Sequence, residues 1–454
     1  MANQQSKIEY QHSKMTQTPI PRLVTQMAVP TVTSMLITVI YNTADTFFVA
    51  QIDKSASAAV GVVFAIMEVI MALGYGIGVG ACSLVSRRLG AKQNKQADMY
   101  ASSGMFAAVS VGCVLCVTGL MFLNNILILL GCTPTMMPHA KPYATFVLIA
   151  APINCATFVL NNLLRSQGMT RLAMIGMGAG GILNIFIDPI FIFKFGLGTA
   201  GASIATMISQ CVSFCILASC FVTKRSVVNL RIKDISRNMQ DYGDIVSLGL
   251  PTMFRNGLAS VAAAVLNIQA VRYGGDAAAA AITIANKLYS LVRSIAFGIG
   301  QGFQPVAGYN YGAGNKKRTW QAFVFTAKLG TVVCLIFTVF TAVCAGQIML
   351  WFTQDMQVVE IGTKTLHILS AAMPLLAFST YVNHLYQSLG FRAQATFLAS
   401  CRQGIFFLPV IMLLPFKVGL AGVQAAQPIA DIITFAVSIP FIVYFYRKHI
   451  NNHI

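Results

Sequence analysis

The chain is 454 residues long and 56% hydrophobic, with 31 Lys/Arg and 13 Asp/Glu making up only 10% of it, where a soluble domain carries about 25% charged residues. That deficit, with a mean hydropathy of +0.70, excludes an ordinary soluble enzyme. Long unbroken apolar runs exclude a membrane barrel, whose strands alternate apolar and polar residues. The formal charge of +18 then belongs to the loops of a helical polytopic membrane protein, not to a nucleic-acid surface.

A polar N-terminal segment, 1–19, lacks a short apolar core with a cleavage site and reads as a cytoplasmic tail. A membrane helix needs about 20 apolar residues, and the first such span is 22–50. It carries Pro30 and, four turns on, Asp45. Proline removes a backbone hydrogen bond, so Pro30 is either a hinge upstream of an ionisable residue or a static kink. The second span, 57–84, holds Glu68, which either faces a cavity or caps a polar network. Met67 and Met71 beside it are either core filling or an adaptable cavity lining. Spans three and four are 98–123 and 140–164. The fifth, 170–194, sets Asn184 four residues before Asp188, on one helix face, with Pro189 freeing a carbonyl nearby. The sixth, 199–223, ends a first lobe covering 20–223, and the basic stretch 224–243 is a cytoplasmic linker.

The second lobe, 244–446, contains spans 244–271, 277–308, 318–346, 362–387, 393–415 and 419–446, followed by a cytoplasmic tail at 447–454. A charge at mid-bilayer costs at least about 2.5 kcal/mol, so each intramembrane charge requires a reason. Asp45 and Asp188, with amide and hydroxyl oxygens, resemble a carboxylate site suited equally to Na⁺ and to proton capture. Arg255, Lys287, Arg293 and Arg402 lie in the second half. They either steady a carboxyl-poor interior or face anionic lipid or substrate groups. For Asp431 the plain reading is pairing with a nearby base. Ten of the eleven cysteines fall in apolar spans, and Cys113-x-x-Cys116 has no matching pair, so packing and not metal binding is expected. No nucleotide-binding Gly-x-x-x-x-Gly-Lys-Ser/Thr motif is present. The histidines lie in tails or a loop (His12, His139, His449, His453) or isolated in the tenth span (His367, His384), so no enzyme is expected.

The halves repeat with an offset of about 222 residues. Gly76-Ile77-Gly78-Val79-Gly80 aligns with Gly298-Ile299-Gly300-Gln301-Gly302, and Gly90 with Gly312. Pro152 aligns with Pro374, Asn161 with Asn383, Ser166 with Ser388 and, with a one-residue slip, Pro30 with Pro251. Two six-span halves in the same orientation are the plan of an alternating-access transporter. Twenty Lys/Arg fall in the tails and even-numbered loops against six, Lys54 among them, in the odd-numbered loops. That bias places both termini in the cytoplasm.

In the order and spacing of these features the chain resembles the multidrug and toxic compound extrusion (MATE) transporters over about 20–446. The features are Pro30…Asp45-Thr46, the Gly-rich second span running into SLVSRRLGAKQ, its echo GIGQGFQPVAGYNYGAGN, and Pro152…Asn161…Ser166-Gln167-Gly168. It looks most like the DinF-type branch and its MepA-like members. The resemblance implies a V-shaped pair of six-helix bundles that exports organic cations or other amphipathic compounds against inward H⁺ or Na⁺, as a monomer in a prokaryotic inner membrane, with no other cofactor. It implies a cation site in the first lobe at Asp45, Asn184 and Asp188, with Thr206 as a further Na⁺ ligand. Tyr41, Tyr143 and Asn161 would be supporting polar residues and Pro30 the hinge. The NorM-type acids of the seventh and tenth spans have no counterpart here, which favours the first-lobe site. A lipid-linked oligosaccharide flippase of the same superfold is the alternative.

Overall fold

The computed structural model describes residues 2–451. The end of the expected 447–454 tail, His453 included, lies outside the described residues, as does the side chain of Lys54. The chain is almost entirely helical, with no strand among the described residues. In order, the helices are α1 (Ala2–Gln17), α2 (Ile20–Ala50), α3 (Lys54–Gly90), α4 (Asn94–Met121), α5 (Leu123–Leu129), α6 (Met137–Ser166), α7 (Thr170–Pro189), α8 (Gly198–Val222), α9 (Met239–Gly312), α10 (Lys316–Phe352), α11 (Met356–Ala371), α12 (Met373–Leu389), α13 (Arg392–Ser400), α14 (Phe407–Val418) and α15 (Leu420–His449).

Local chemistry explains where they start and break. Asp53 caps α3 by accepting from the backbone N–H groups of Ser55 and Ala56, and Asp355 caps α11 through Gln357 at 2.9 Å. Gly275 takes φ 65° and ψ −164°, a conformation closed to most side chains, and divides α9 into two arms. Both ends of α9 pack against the C-terminal part of α3, Ile245 and Gly249 near Gly76 and Gly80, Tyr309 and Gly312 near Arg87 and Gly90. The arms therefore run antiparallel and supply the seventh and eighth spans. The tenth span is not straight: α11 and α12 meet at 46° at Ala372, just before Pro374. π-helical turns at Ile190–Lys194 and Cys401–Phe406 follow α7 and α13.

Among the described residues nine helices are long and apolar enough to cross a membrane, and the bent α11–α12 pair makes a tenth; the two arms of α9 fill the places of the seventh and eighth of the twelve expected spans. Large apolar side chains such as Val114, Val343 and Trp351 cover the exterior. A soluble chain would not leave them in water, and the protein is a multi-pass membrane protein.

The two six-helix sets meet through a pseudo-symmetric seam near the end that bears the termini. A Cβ on Gly90 would strike the Tyr309 carbonyl, and one on its repeat mate Gly312 would strike that of Arg87. Likewise Gly76 packs on Met253 as Gly298 packs on Val32, and Gly80 meets Ile245 and Gly249 as Gly302 meets Met27 and Ala28. These glycines let backbones approach where lipid offers no hydrophobic drive to association. The N-terminal segment is not a loose tail: α1 bridges the seam. Gln11 donates to the Gln167 carbonyl on one side, while His12 lies 3.1 Å from the Tyr309 hydroxyl and Asn310 donates to the Met15 carbonyl (3.1 Å) on the other. The stretch joining α8 to α9 is equally held, with the Asn229 N–H donating to Asp98 (2.8 Å) and the Val227 N–H to Gln167 (2.7 Å).

Candidate functional site

Away from the seam, toward the opposite end, five helices of the first half converge on a carboxylate cluster. α2 reaches that end with Tyr41 and Asp45, α6 leaves it with Tyr143, α7 arrives with Asn184 and Asp188, α8 leaves with Thr206, and α3 contributes Met67. The Tyr143 hydroxyl donates to Asp45 Oδ2 (3.3 Å) and lies 3.7 Å from Met67 Sδ. Asn184 Nδ2 donates to Asp188 Oδ1 (2.8 Å) and reaches Thr206 Oγ1 at 3.3 Å. Asp188, Asn184 and Tyr143 are buried, whereas Asp45 and Tyr41 are half-buried. Tyr41 lies against α7 where Gly181 leaves room for its ring.

Three buried oxygens in this cluster have no hydrogen-bond partner: Asp45 Oδ1, Asn184 Oδ1 and Asp188 Oδ2. Buried polar atoms are nearly always paired, and an unpaired carboxylate oxygen is among the most costly. The donor set is all oxygen, which suits a hard monovalent cation or a proton. The Asn184–Asp188 spacing puts both groups on one face of α7 as the sequence indicates. Tyr143 and Thr206 come from other helices and no local spacing reveals them.

Pro30 lies inside α2, which continues through it. Its missing N–H frees the Gln26 carbonyl, and the Thr170 hydroxyl at the start of α7 donates to that carbonyl at 3.3 Å. The helix bearing Asp45 is thus tied at its proline to the helix bearing Asp188.

Other candidates fall elsewhere. Asn161 donates to the Ala173 carbonyl (3.1 Å), as its mate Asn383 does to Ala395 (2.6 Å), so both join successive helices outside the cluster. Glu68, half-buried, lies within electrostatic reach of Arg293 in the other half, and Met71 is half-buried. In the second half Arg402 pairs with Asp431 at 2.7 Å. Arg402 donates to the Tyr289 hydroxyl (2.7 Å), which donates to Asp431 Oδ2 (2.8 Å), and Gln427 donates to Oδ1 (3.0 Å). This network is closed on itself, and Asp431 is the paired acid that the plain reading expects. Lys287 and Lys328 are exposed.

Tyr289 and Gln427 are not discernible in the sequence, because an apolar span conceals which of its faces meets a charge. Arg165 is one of the twenty basic residues that the sequence assigns to the tails and even-numbered loops. Arg165 is instead only 3% exposed in the last turn of α6, bonded to Tyr75, Asn162 and Gln301. An arginine at a helix end looks the same in sequence whether it faces water or a seam.

Comparison with known proteins places these features. A family model described as MatE matches residues 30–190 and again 251–413. The chain is 28% identical over 436 residues, 95% of each protein, to the Multidrug export protein MepA of Staphylococcus aureus (strain N315). It superposes with a TM-score of 0.91 and 26% identity on a structure described as the outward-facing conformation of a multidrug resistance MATE family transporter of the MOP superfamily, covering 95% of this chain and 97% of that one. A crystal structure of MATE in complex with MaL6 gives the same TM-score at 26% identity, covering 96% and 98%.

Proposed function

The chain belongs to the MatE family of membrane transporters, and from that premise we propose that it is a secondary antiporter exporting amphipathic organic cations in exchange for H⁺ or Na⁺. It works as a monomer in a prokaryotic inner membrane, with both termini in the cytoplasm. The observation that carries this reading is the cluster of unpartnered oxygens on Asp45, Asn184 and Asp188 beside the Tyr143 hydroxyl. Two carboxylates in one desolvated pocket call for a positive charge between them. One proton or one Na⁺, with Thr206 as a further oxygen, supplies it.

Coupling requires the ion to bind two conformations with different affinity. The lobes 20–223 and 244–446 are the moving bodies. The seam closed at the terminus-bearing end corresponds to the outward-facing state, and its opening admits substrate from the cytoplasm or inner leaflet. Ion binding draws the Asp45 end of α2 toward α7. α2 lacks one internal hydrogen bond at Pro30, so bending concentrates there, and the Thr170–Gln26 bond transmits it between the two helices.

The test is transport in proteoliposomes under separately imposed proton and sodium gradients, with a panel of organic cations. Asp45→Asn and Asp188→Asn are each expected to lower gradient-driven efflux at least about tenfold, the cost of about 1.4 kcal/mol of lost coupling. Undiminished efflux in both variants removes the ion from this site. If neither gradient drives any compound in the unaltered protein, the antiporter reading fails and the flippase of the same superfold takes its place.

A further inference from the structure

Where the two halves meet lie bases that the cation site does not use, one from the first half and two from the second. They are stacked along the seam. Deepest is Arg165 of α6, which donates to Tyr75 (3.2 Å) and Gln301 (3.0 Å), yet its Nε and Nη2 are buried without a partner. Next comes Arg255 on the first arm of α9, two residues past the seam residue Met253. Its guanidinium lies 5.0 Å from the centre of the Phe297 ring and 3.4 Å from His384 Nε2. About one turn beyond Phe297 on the second arm is Arg293, within electrostatic reach of Arg255 and of Glu68 across the seam.

Among the described residues none of Arg165, Arg255 and Arg293 has a carboxylate within ion-pairing distance, in contrast to Arg402, which Asp431 neutralises. Arg165 is buried, Arg255 and Arg293 are half-buried, and Glu68 alone lends Arg293 a more distant negative charge; guanidiniums partly withdrawn from water with no directly paired carboxylate favour an incoming anion. Arginine's planar fork matches carboxylate and phosphate oxygens two at a time. The Phe297 face beside Arg255 gives the apolar body of an amphiphile a surface to rest on.

We propose that Arg255 and Arg293, successive to Arg165 along the meeting of the two halves, form a binding site for an anionic oxygen group, carboxylate or phosphate, carried by an amphipathic molecule. This turns a cationic face of the second half toward the first, fitted to amphiphiles that carry an anionic group. The proposal rests on the exporter reading only in taking the substrate path to run between the halves.

The experiment measures binding without any gradient, by fluorescence anisotropy of the purified full chain. The probes are rhodamine B, which carries a free carboxylate beside its delocalised cation, and its ethyl ester, a cation only. The unaltered protein is expected to bind rhodamine B about tenfold more tightly than the ester. Arg255→Gln with Arg293→Gln is expected to abolish that preference and leave ester affinity in place, while Arg255→Lys with Arg293→Lys retains most of it. Repeating the titration in nanodiscs of phosphatidylcholine with and without phosphatidylglycerol distinguishes the sources. A severalfold loss of rhodamine B affinity confined to the anionic discs, and absent in the Gln variant, assigns the site to lipid phosphate as well; no change assigns it to the substrate's own group. Equal affinities for the two dyes, no measurable binding of rhodamine B, or a preference that survives in the Gln variant overturns the proposal. Failure of ester efflux under both gradients would instead count against the exporter reading and leave the binding result standing.

Discussion

Three intramembrane carboxylates have opposite fates in the two halves of this molecule, and the difference lies in their immediate neighbours. Asp431 receives Arg402, Tyr289 and Gln427, so both of its oxygens are already paired. Asp45 and Asp188 receive one neutral donor each and keep an oxygen free. Removing one member of a buried ion pair strands the other, at a cost of about 3–5 kcal/mol. Arg402→Ala is therefore expected to lower the thermal midpoint of the purified protein sharply, whereas Arg402→Leu with Asp431→Leu is expected to recover most of the loss. Equal destabilisation by the single and double changes would show that shape and not charge governs this site. At this scale the sequence was only partly legible. The Asn184–Asp188 pair is visible because both residues sit on one helix and obey its period. Tyr289 is not, because its partners lie 113 and 142 residues away.

At the scale of elements, the twelve apolar runs are readable because length and composition alone decide whether a helix can cross a bilayer. The bend between α11 and α12 is not readable, since Pro152, the mate of Pro374, sits inside an unbroken α6. The same proline pattern gives a continuous helix in one half and a broken one in the other. Helix α1 is hidden for another reason: its residues are polar, and docking depends on particular carbonyls and hydroxyls across the seam. Burial and the nearby Lys92 hold the His12 imidazole below its ordinary value of 6.5. A group whose value is lowered by docking supports the docked state above its free value and opposes it as the pH falls through that value. Acidification from pH 7.5 to 5.5 is thus expected to loosen α1 modestly, because His12 is only partly buried. The mobility of a spin label at exposed Tyr10, followed by electron paramagnetic resonance, should rise over that interval and stay level in His12→Gln. A decrease on acidification would contradict this account.

At the scale of the whole molecule, the repeat is the most legible feature because glycines at close approaches leave a fixed signature in both halves. What the repeat does not disclose is the uneven division of charge, with the acids Asp45 and Asp188 in the first half and Arg255 and Arg293 in the second. The seam itself can be tested. A Cβ built on Gly308 would lie 3.5 Å from Ser86 Cβ, within the span that a disulfide requires. Ser86→Cys with Gly308→Cys should cross-link the halves under oxidation, detectable once an inserted protease site in the 224–238 segment is cut. Transport is expected to stop when the bridge forms and to resume on reduction; full activity in the cross-linked protein would mean that this end never opens. The contact at Gly90 and Gly312 has one more consequence. Each glycine touches the helix that carries its own mate, so the surface is self-complementary in the way of a two-fold dimer. A six-helix protomer bearing one such glycine would pair with its own copy through the same patch. Joining two protomers in one chain keeps that isologous contact and releases each from identity with the other, which is what allows one to carry acids that its partner lacks.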